Sequence, residues 1–218
     1  MNKIAISGVR PTRIELLKLK KRQVLARKGH DLLEEKLDAM VIECSHYIDQ
    51  YHHQKEKIHN EIRTAFSRLI ETEMTTGRDG LREMAAAVRE IEDIPMDTRV
   101  IIGVKVPSIT IPETLHVTGK GRGYSYMGTS ALVDETADGF ERVIQIALSL
   151  AELGDTVRRL EQEIIRTRRR VNALENILIP RLAATEKYIE MHLEERERED
   201  MFRRKRTKQV MREKAGSV

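Results

Sequence analysis

The stretch that decides the fold is residues 37–69, which read LDAMVIECSHYIDQYHHQKEKIHNEIRTAFSRL. Its apolar residues return at intervals of three, four or seven, which is the spacing of one helix face. Because no proline interrupts the chain from Thr12 to Thr76, the pattern predicts one helix about 100 Å long at 1.5 Å per residue. A helix of that length is unusual inside a globular domain and usual in a coiled coil.

The same helix extends toward the N-terminus. Thr12 is a residue type that caps helix starts, so we expect the helix to begin there. Further apolar residues precede the deciding stretch, and we expect them to continue its buried stripe: Leu17, Val24, Leu25, Leu32 and Leu33.

A second long helix is predicted from about Ser130 to Lys214. Its apolar residues repeat with the same helical spacing from Val143 to Leu193. Pro180 interrupts this pattern, and a proline inside an isolated helix costs about 3 kcal/mol. We therefore expect a local distortion of the helix at Pro180.

Between the two helices the pattern changes. The run GRDG at residues 77–80 ends the first helix, and an amphipathic segment over residues 81–91 predicts a short helix that Pro95 ends. Residues 100–106 and 109–111 are rich in β-branched side chains and predict a small β-hairpin or two short strands. Glycines 119, 121, 123 and 128 indicate a loop after it.

These elements predict an all-α protein, a long antiparallel two-helix coiled coil with a small β-hairpin and loop insert at its far end. The three segments are residues 12–77, 78–129 and 130–214. Centring the antiparallel pair near residue 104 places Leu37 opposite the region of Val171 and leaves the second helix overhanging the first. The predicted seam consists of Leu37, Ile48, Ile58, Ile62, Leu69, Leu150, Val157, Ile164, Val171, Leu174 and Leu178.

Composition supports a helical, non-globular chain. Only 4% of the 218 residues are aromatic and 34% are charged, which is typical of coiled coils rather than of compact domains. The single cysteine, Cys44, excludes an internal disulfide and fits a reducing compartment. No run of about 18 apolar residues occurs, so we expect a cytoplasmic chain without a membrane-inserted segment.

Both termini are locally basic although the net charge is only +4. The predicted register brings the two basic stretches to the same end, which favours an acidic or polar partner there. A merely solvated tip is the alternative. Nucleic-acid binding is disfavoured because no stacking aromatic residues accompany the charge. The candidate contact residues of this tip are Arg13, Lys20, Arg27, Lys28, Arg203, Arg204 and Arg206.

Catalysis and cofactor binding are not indicated. No two of His46, His52, His53 and His59 are three or four residues apart, so they cannot share a metal ion along one helix face. The run GKGRG at residues 119–123 lacks the spacing of a phosphate-binding P-loop. We expect no catalytic residues, no metal site and no cofactor.

Several longer segments resemble one known family. They are PTRIELLKLK at residues 11–20, RRRVNALEN at 168–176, LIPRL at 178–182 and EREREDMFR at 195–203. The chain resembles the D subunit of V-type and archaeal A-type ATPases over nearly its whole length. Asn172 makes the second segment specific, because neither charge nor periodicity requires an asparagine there.

The resemblance implies a non-catalytic central-stalk rotor of a proton- or sodium-transporting ATPase, peripheral to the cell membrane. It also implies three sets of partners: the hexamer of catalytic A and B subunits around the paired termini, the small F subunit of the stalk at the side, and a socket on the membrane ring formed by the C subunit. A coiled-coil scaffold or export-apparatus chaperone without a rotary role is the alternative.

Overall fold

The structure is a computed structural model, and it describes residues 10–88, 94–111, 124 and 130–215. Four helices and one hairpin lie in these ranges: α1 Arg13–Thr76, α2 Arg78–Ala87, β1 Met96–Ile101, β2 Val104–Ile109, α3 Ala131–Ala173 and α4 Ile179–Ala215. Long helices with one small antiparallel hairpin confirm the predicted fold class. The glycine-rich run at residues 119–123 and the end of the predicted short helix at Ile91 lie outside the described residues.

Side-chain caps explain where the long helices start. The Thr12 hydroxyl accepts a hydrogen bond from the Glu15 N–H at 3.3 Å, as expected for a helix N-cap. At the start of α3, the Ser130 hydroxyl accepts from the Leu132 N–H at 3.3 Å. Gly77 separates α1 from α2 with a φ of 78°, a conformation that glycine adopts without steric cost.

The chain divides into two compact units. The first comprises residues up to Leu37 together with Ile165 onward, and the second comprises Asp38–Ile164. In the first unit the start of α1 packs antiparallel on α4 around three buried residues, Leu19, Leu182 and Ile189.

In the second unit, the rest of α1 packs antiparallel on α3. The hydroxyls of Thr72 and Thr136 lie 2.8 Å apart and are buried between the helices. Nearby, the rings of Phe66 and Phe140 meet edge to face with centroids 5.6 Å apart. The residue numbers of these facing pairs agree with the register that the sequence predicts.

The hairpin does not lie where α1 ends, which corrects the prediction that the insert occupies the far end of the coiled coil. Val104 and Val106 on β2 belong to the same buried cluster as Met40 and Cys44 of α1 and Leu160 of α3. The hairpin therefore covers the helix pair well before Thr76, because its two buried valines complete an apolar cluster that two helices alone leave open to water.

A π-helical turn, Leu174–Leu178, separates α3 from α4. It lies immediately before Pro180, which cannot donate to the carbonyl one turn earlier. The distortion predicted at Pro180 therefore takes the form of one widened turn, a common way to accommodate a broken helical hydrogen bond.

Candidate partner-binding surface

The α1 face of the first unit differs from the predicted stripe. Leu19 is 2% exposed, and half-buried Gln23, Ala26 and His30 continue its face. Most of the residues expected on the stripe lie elsewhere on the helix, with exposures of 54–71%: Leu17, Val24, Leu25 and Leu32. That expectation was wrong because α1 carries apolar residues on two faces here, and the face against α4 is the one that holds Leu16, Leu19 and Ala26.

The basic residues of α1 meet acidic residues of α4. Lys20 Nζ lies 2.8 Å from a Glu190 carboxylate oxygen and 3.7 Å from one of Glu186. The hydrogen bond and charge of Glu190 raise the pKa of Lys20 above its ordinary value. Arg13 pairs with Glu197. Part of the positive charge near the N-terminus is thus neutralised within the protein.

Other predicted contact residues keep their charge free for a partner. Among the described residues, no carboxylate lies within 4 Å of Arg27, Lys28, Arg204 or Arg206, and all four are exposed. Arg203 lies 3.7 Å from Glu199 on its own helix.

The basic stretch of α1 and the basic stretch of α4 do not face each other. Because Arg13 pairs with Glu197, the cations from Arg203 onward lie beyond the start of α1. Acidic side chains of α4, the glutamates between residues 186 and 197, therefore lie next to the cations of α1.

Exposed apolar side chains accompany these cations. On α1 they are Ile14, Leu17, Val24, Leu25 and Leu32, and on α4 they include Met191, Met201, Phe202 and Met211. Phe202 is 74% exposed next to Arg203 and Arg204. A surface that mixes large apolar groups with unpaired cations suits a partner that offers apolar contacts and carboxylates.

The predicted seam residues vary in burial. Ile58 and Val171 are buried, seven are half-buried, and Ile48 and Leu178 are exposed: the half-buried ones are Leu37, Ile62, Leu69, Leu150, Val157, Ile164 and Leu174. Ile48 is not part of the seam because, in this part of α1, half-buried Tyr47 and Tyr51 take the inward-facing positions. Leu178 departs from it in the π-helical turn, where an added residue shifts the phase of the helix.

A metal site does not assemble in the part of the chain that the structure describes. No group of three histidine, cysteine or acidic residues there could hold a metal ion. None of the helices in the described ranges has the apolar length to cross a bilayer. Cys44 is buried, and burial raises the pKa of its thiol, which disfavours the nucleophilic thiolate.

Comparison with known proteins places the chain in a family. The family model that describes the D subunit of ATP synthase matches residues 15–209. The chain is 43% identical to the A-type ATP synthase D subunit of Pyrococcus horikoshii over 206 residues, which is 94% of this chain and 96% of that protein. It is 44% identical over 210 residues to that of Thermococcus sibiricus, covering 96% and 98% of the two chains.

A third relative, the A-type ATP synthase D subunit of Methanopyrus kandleri, is 40% identical over 215 residues, or 98% of this chain and 91% of that protein. The matches extend through α1, the hairpin, α3 and α4. This chain belongs to the family of ATP synthase D subunits.

Proposed function

We propose that this chain is the non-catalytic rotor subunit of an A-type ATP synthase complex, peripheral to the membrane on its cytoplasmic side. It carries torque between a hexamer of nucleotide-binding A and B subunits and the ring that moves ions through the membrane. The observation that carries the proposal is similarity over nearly the full length to ATP synthase D subunits, in a chain built of paired long helices.

Paired helices suit this mechanical role. A single long helix frays and twists easily, whereas two helices that share a buried face resist torsion because twisting would expose that face. The shared face here includes Leu19 against Ile189 in one unit and Met40 with Leu160 in the other. Torque applied to α4 is thereby passed to α1 through packing rather than through one backbone.

The proposal extends to the partners of the chain. The mixed apolar and basic surface at the paired termini contacts the A and B subunits, with Arg13, Lys20, Arg27, Lys28, Arg203, Arg204 and Arg206 as contact residues. The small F subunit of the stalk and the C subunit socket bind elsewhere on the chain. Exposed Phe202, two residues before Arg204, which has no carboxylate within 4 Å among the described residues, supports the assignment of the terminal surface.

Omission of the chain tests the role directly. A complex reconstituted without it should still hydrolyse ATP at the hexamer but should transport no ions in vesicles. Adding the purified chain back should restore ATP-driven ion transport. Ion transport that is equally fast without the chain would contradict the rotor proposal and favour a scaffold role.

Charge reversal tests the contact surface. Arg203→Glu, Arg204→Glu and Arg206→Glu together should lower ATP-driven ion transport at least about tenfold, because three cations facing carboxylates become repulsive. The same three positions changed to Lys keep the charge and form the matched control. Both variants should show the helix content of the parent chain, and unchanged transport in the Glu variant would remove these residues from the contact surface.

A further inference from the structure

The two edges of the β-hairpin differ in their free hydrogen-bonding groups. Ile102 and Gly103 form its two-residue loop with φ values of 48° and 80°, as in a type I′ turn. In such a hairpin the two residues that flank the loop, Ile101 and Val104, form two backbone hydrogen bonds with each other. Residue pairs farther from the loop are then alternately without and with such hydrogen bonds. The residues that point their N–H and C=O groups away from the partner strand are therefore Met96, Thr98 and Val100 on β1 and Lys105, Pro107 and Ile109 on β2.

The outer edge of β2 is closed by the protein itself. The Ile109 N–H donates to a Glu152 carboxylate oxygen at 3.1 Å. The Lys105 carbonyl accepts from the Arg159 guanidinium at 3.3 Å. Pro107, between them, has no N–H, so no further strand can add to this edge. The pairing of Thr110 N–H with Pro95 C=O at 3.3 Å fits the same alternation at the open end of the hairpin.

The described part of the chain leaves the outer edge of β1 uncovered. Within the ranges that the structure describes, no group bonds to the outward backbone atoms of Met96, Thr98 or Val100. The side chains of Met96 and Val100 are 72% and 64% exposed. Natural sheets usually protect such edges with proline, charge or a covering element, because an open edge accepts a further strand.

The side chains on the outer face of the hairpin indicate what would cover it. Met96 and Val100 face outward beside Pro107 and Ile109, so most of this face is apolar. Lys105, opposite Val100, is its one cation, and no carboxylate of the described residues lies within 4 Å of it. An extended segment with apolar side chains and a carboxylate near Lys105 complements this face.

We propose that β1 accepts an added strand from another subunit of the ATP synthase complex, through backbone hydrogen bonds to Met96, Thr98 and Val100. A six-residue strand buries far less than the roughly 1,200 Å² of a stable interface. The occupant is therefore a segment held nearby by other contacts within the assembly, rather than a second copy of this chain meeting it in solution. The proposal requires membership in the complex and is independent of whether the chain carries torque.

Hydrogen exchange resolved to single amides tests the proposal. In the isolated full-length chain, the amides of Asp97, Arg99 and Ile101 should exchange slowly, and those of Met96, Thr98 and Val100 quickly. In the purified complex, exchange of the Met96, Thr98 and Val100 amides should slow by at least about tenfold. Equal exchange of that set in both samples would overturn the proposal.

Slow exchange of the outward amides already in the isolated chain would also overturn it. A concentration-dependent dimer with this protection would identify a second copy as the occupant. A monomer with the same protection would identify another segment of this chain. Analytical ultracentrifugation of the exchange sample separates these two results.

Two variants make the test specific to the edge. Thr98→Pro removes an outward N–H but no bond of the hairpin, so protection of Met96 and Val100 in the complex should be lost while that of Arg99 and Ile101 remains. Thr98→Val keeps the N–H and should retain the protection. Lys105→Glu should weaken protection of the outward amides in the complex, whereas Lys105→Arg should not. Full protection in both Thr98→Pro and Lys105→Glu would contradict the added strand.

Discussion

The two units of this chain share α1 but bury it differently. Where α1 packs on α3, the hairpin adds a third layer, and Val106 of the hairpin and Leu160 of α3 are completely buried. Where α1 packs on α4, the buried cluster contains Leu19, Leu182 and Ile189, and no third element joins it among the described residues. The first arrangement covers its apolar cluster on more sides, whereas the second leaves large apolar side chains such as Leu25 and Phe202 exposed.

The comparison also separates two uses of charge. In the unit with α4, cations are abundant and several lack partners among the described residues, which suits contact with other subunits. In the unit with the hairpin, Arg99 contacts Glu152 at 3.7 Å and lies 5.7 Å from the centre of the Tyr47 ring. Its charge holds the hairpin onto the helices rather than facing a partner.

Truncation of one buried leucine in each unit should produce the largest difference. Leu160→Ala should lower the free energy of unfolding by about 3 kcal/mol, because three elements surround Leu160 and cannot collapse into the cavity. Leu182→Ala should cost about 2 kcal/mol, since a two-helix layer relaxes more easily. Urea unfolding followed by circular dichroism measures both values.

An exposed position gives the control for these truncations. Ile165 is 44% exposed, so Ile165→Ala should change stability by less than about 0.5 kcal/mol. Equal losses for Leu160→Ala and Leu182→Ala would show that the hairpin adds no packing constraint to its unit.

The chemical reactivity of Cys44 should report how well the hairpin covers the buried cluster to which Cys44 belongs. Cys44 is 7% exposed and burial raises the pKa of its thiol, so iodoacetamide at pH 8 should modify it slowly. In a Ser45→Cys variant, the added thiol is exposed and should react at least about tenfold faster than Cys44 in the same molecule. Mass spectrometry of the two modified sites measures the ratio.

The pKa shift of Cys44 has a second consequence. Because the folded state favours the neutral thiol, this group contributes stability at neutral pH and loses that contribution as the pH rises from the ordinary thiol pKa through the raised one.

In the Ser45→Cys experiment, equal modification rates for Cys44 and the added thiol would mean that the hairpin opens freely from Met40 and Cys44.

Glycine substitution gives the smallest expected effect. A Cβ added at Gly29 in α1 meets nothing within 4 Å, so Gly29→Ala should raise the free energy of unfolding by roughly 0.5–1 kcal/mol through helix propensity. A Cβ at Gly154 in α3 would lie 3.4 Å from the Tyr51 ring, so Gly154→Ala should raise the free energy of unfolding by less than Gly29→Ala does. Thermal unfolding of both variants tests the difference, and an equal gain would show that Tyr51 does not pack tightly on α3.

Most of the helical architecture could be predicted from the sequence, because periodicity and uninterrupted length determine it locally. The facing of Thr72 and Thr136, and the cluster that Leu16 and Leu193 share, follow the predicted antiparallel register. The Thr12 cap was also predictable, since residue type decides it.

Features that depend on tertiary packing could not be predicted in the same way. The start of α1 has apolar residues on two faces, and periodicity alone does not reveal that Leu19 faces α4 while Leu25 faces solvent. The docking of Val104 and Val106 beside Met40 joins segments distant in sequence, which no local pattern specifies. The pairing of Lys20 with Glu190 joins two distant helices, and the charge of either segment alone does not indicate it.

Rotation of the chain inside the complex tests its proposed role most directly. A Glu83→Cys variant places a reactive thiol on the exposed surface of α2, whereas buried Cys44 stays unlabelled. With the hexamer fixed to a surface and a bead attached at residue 83, ATP should drive stepwise rotation in one direction. A bead that only fluctuates at random while the same complexes hydrolyse ATP would contradict the rotor assignment.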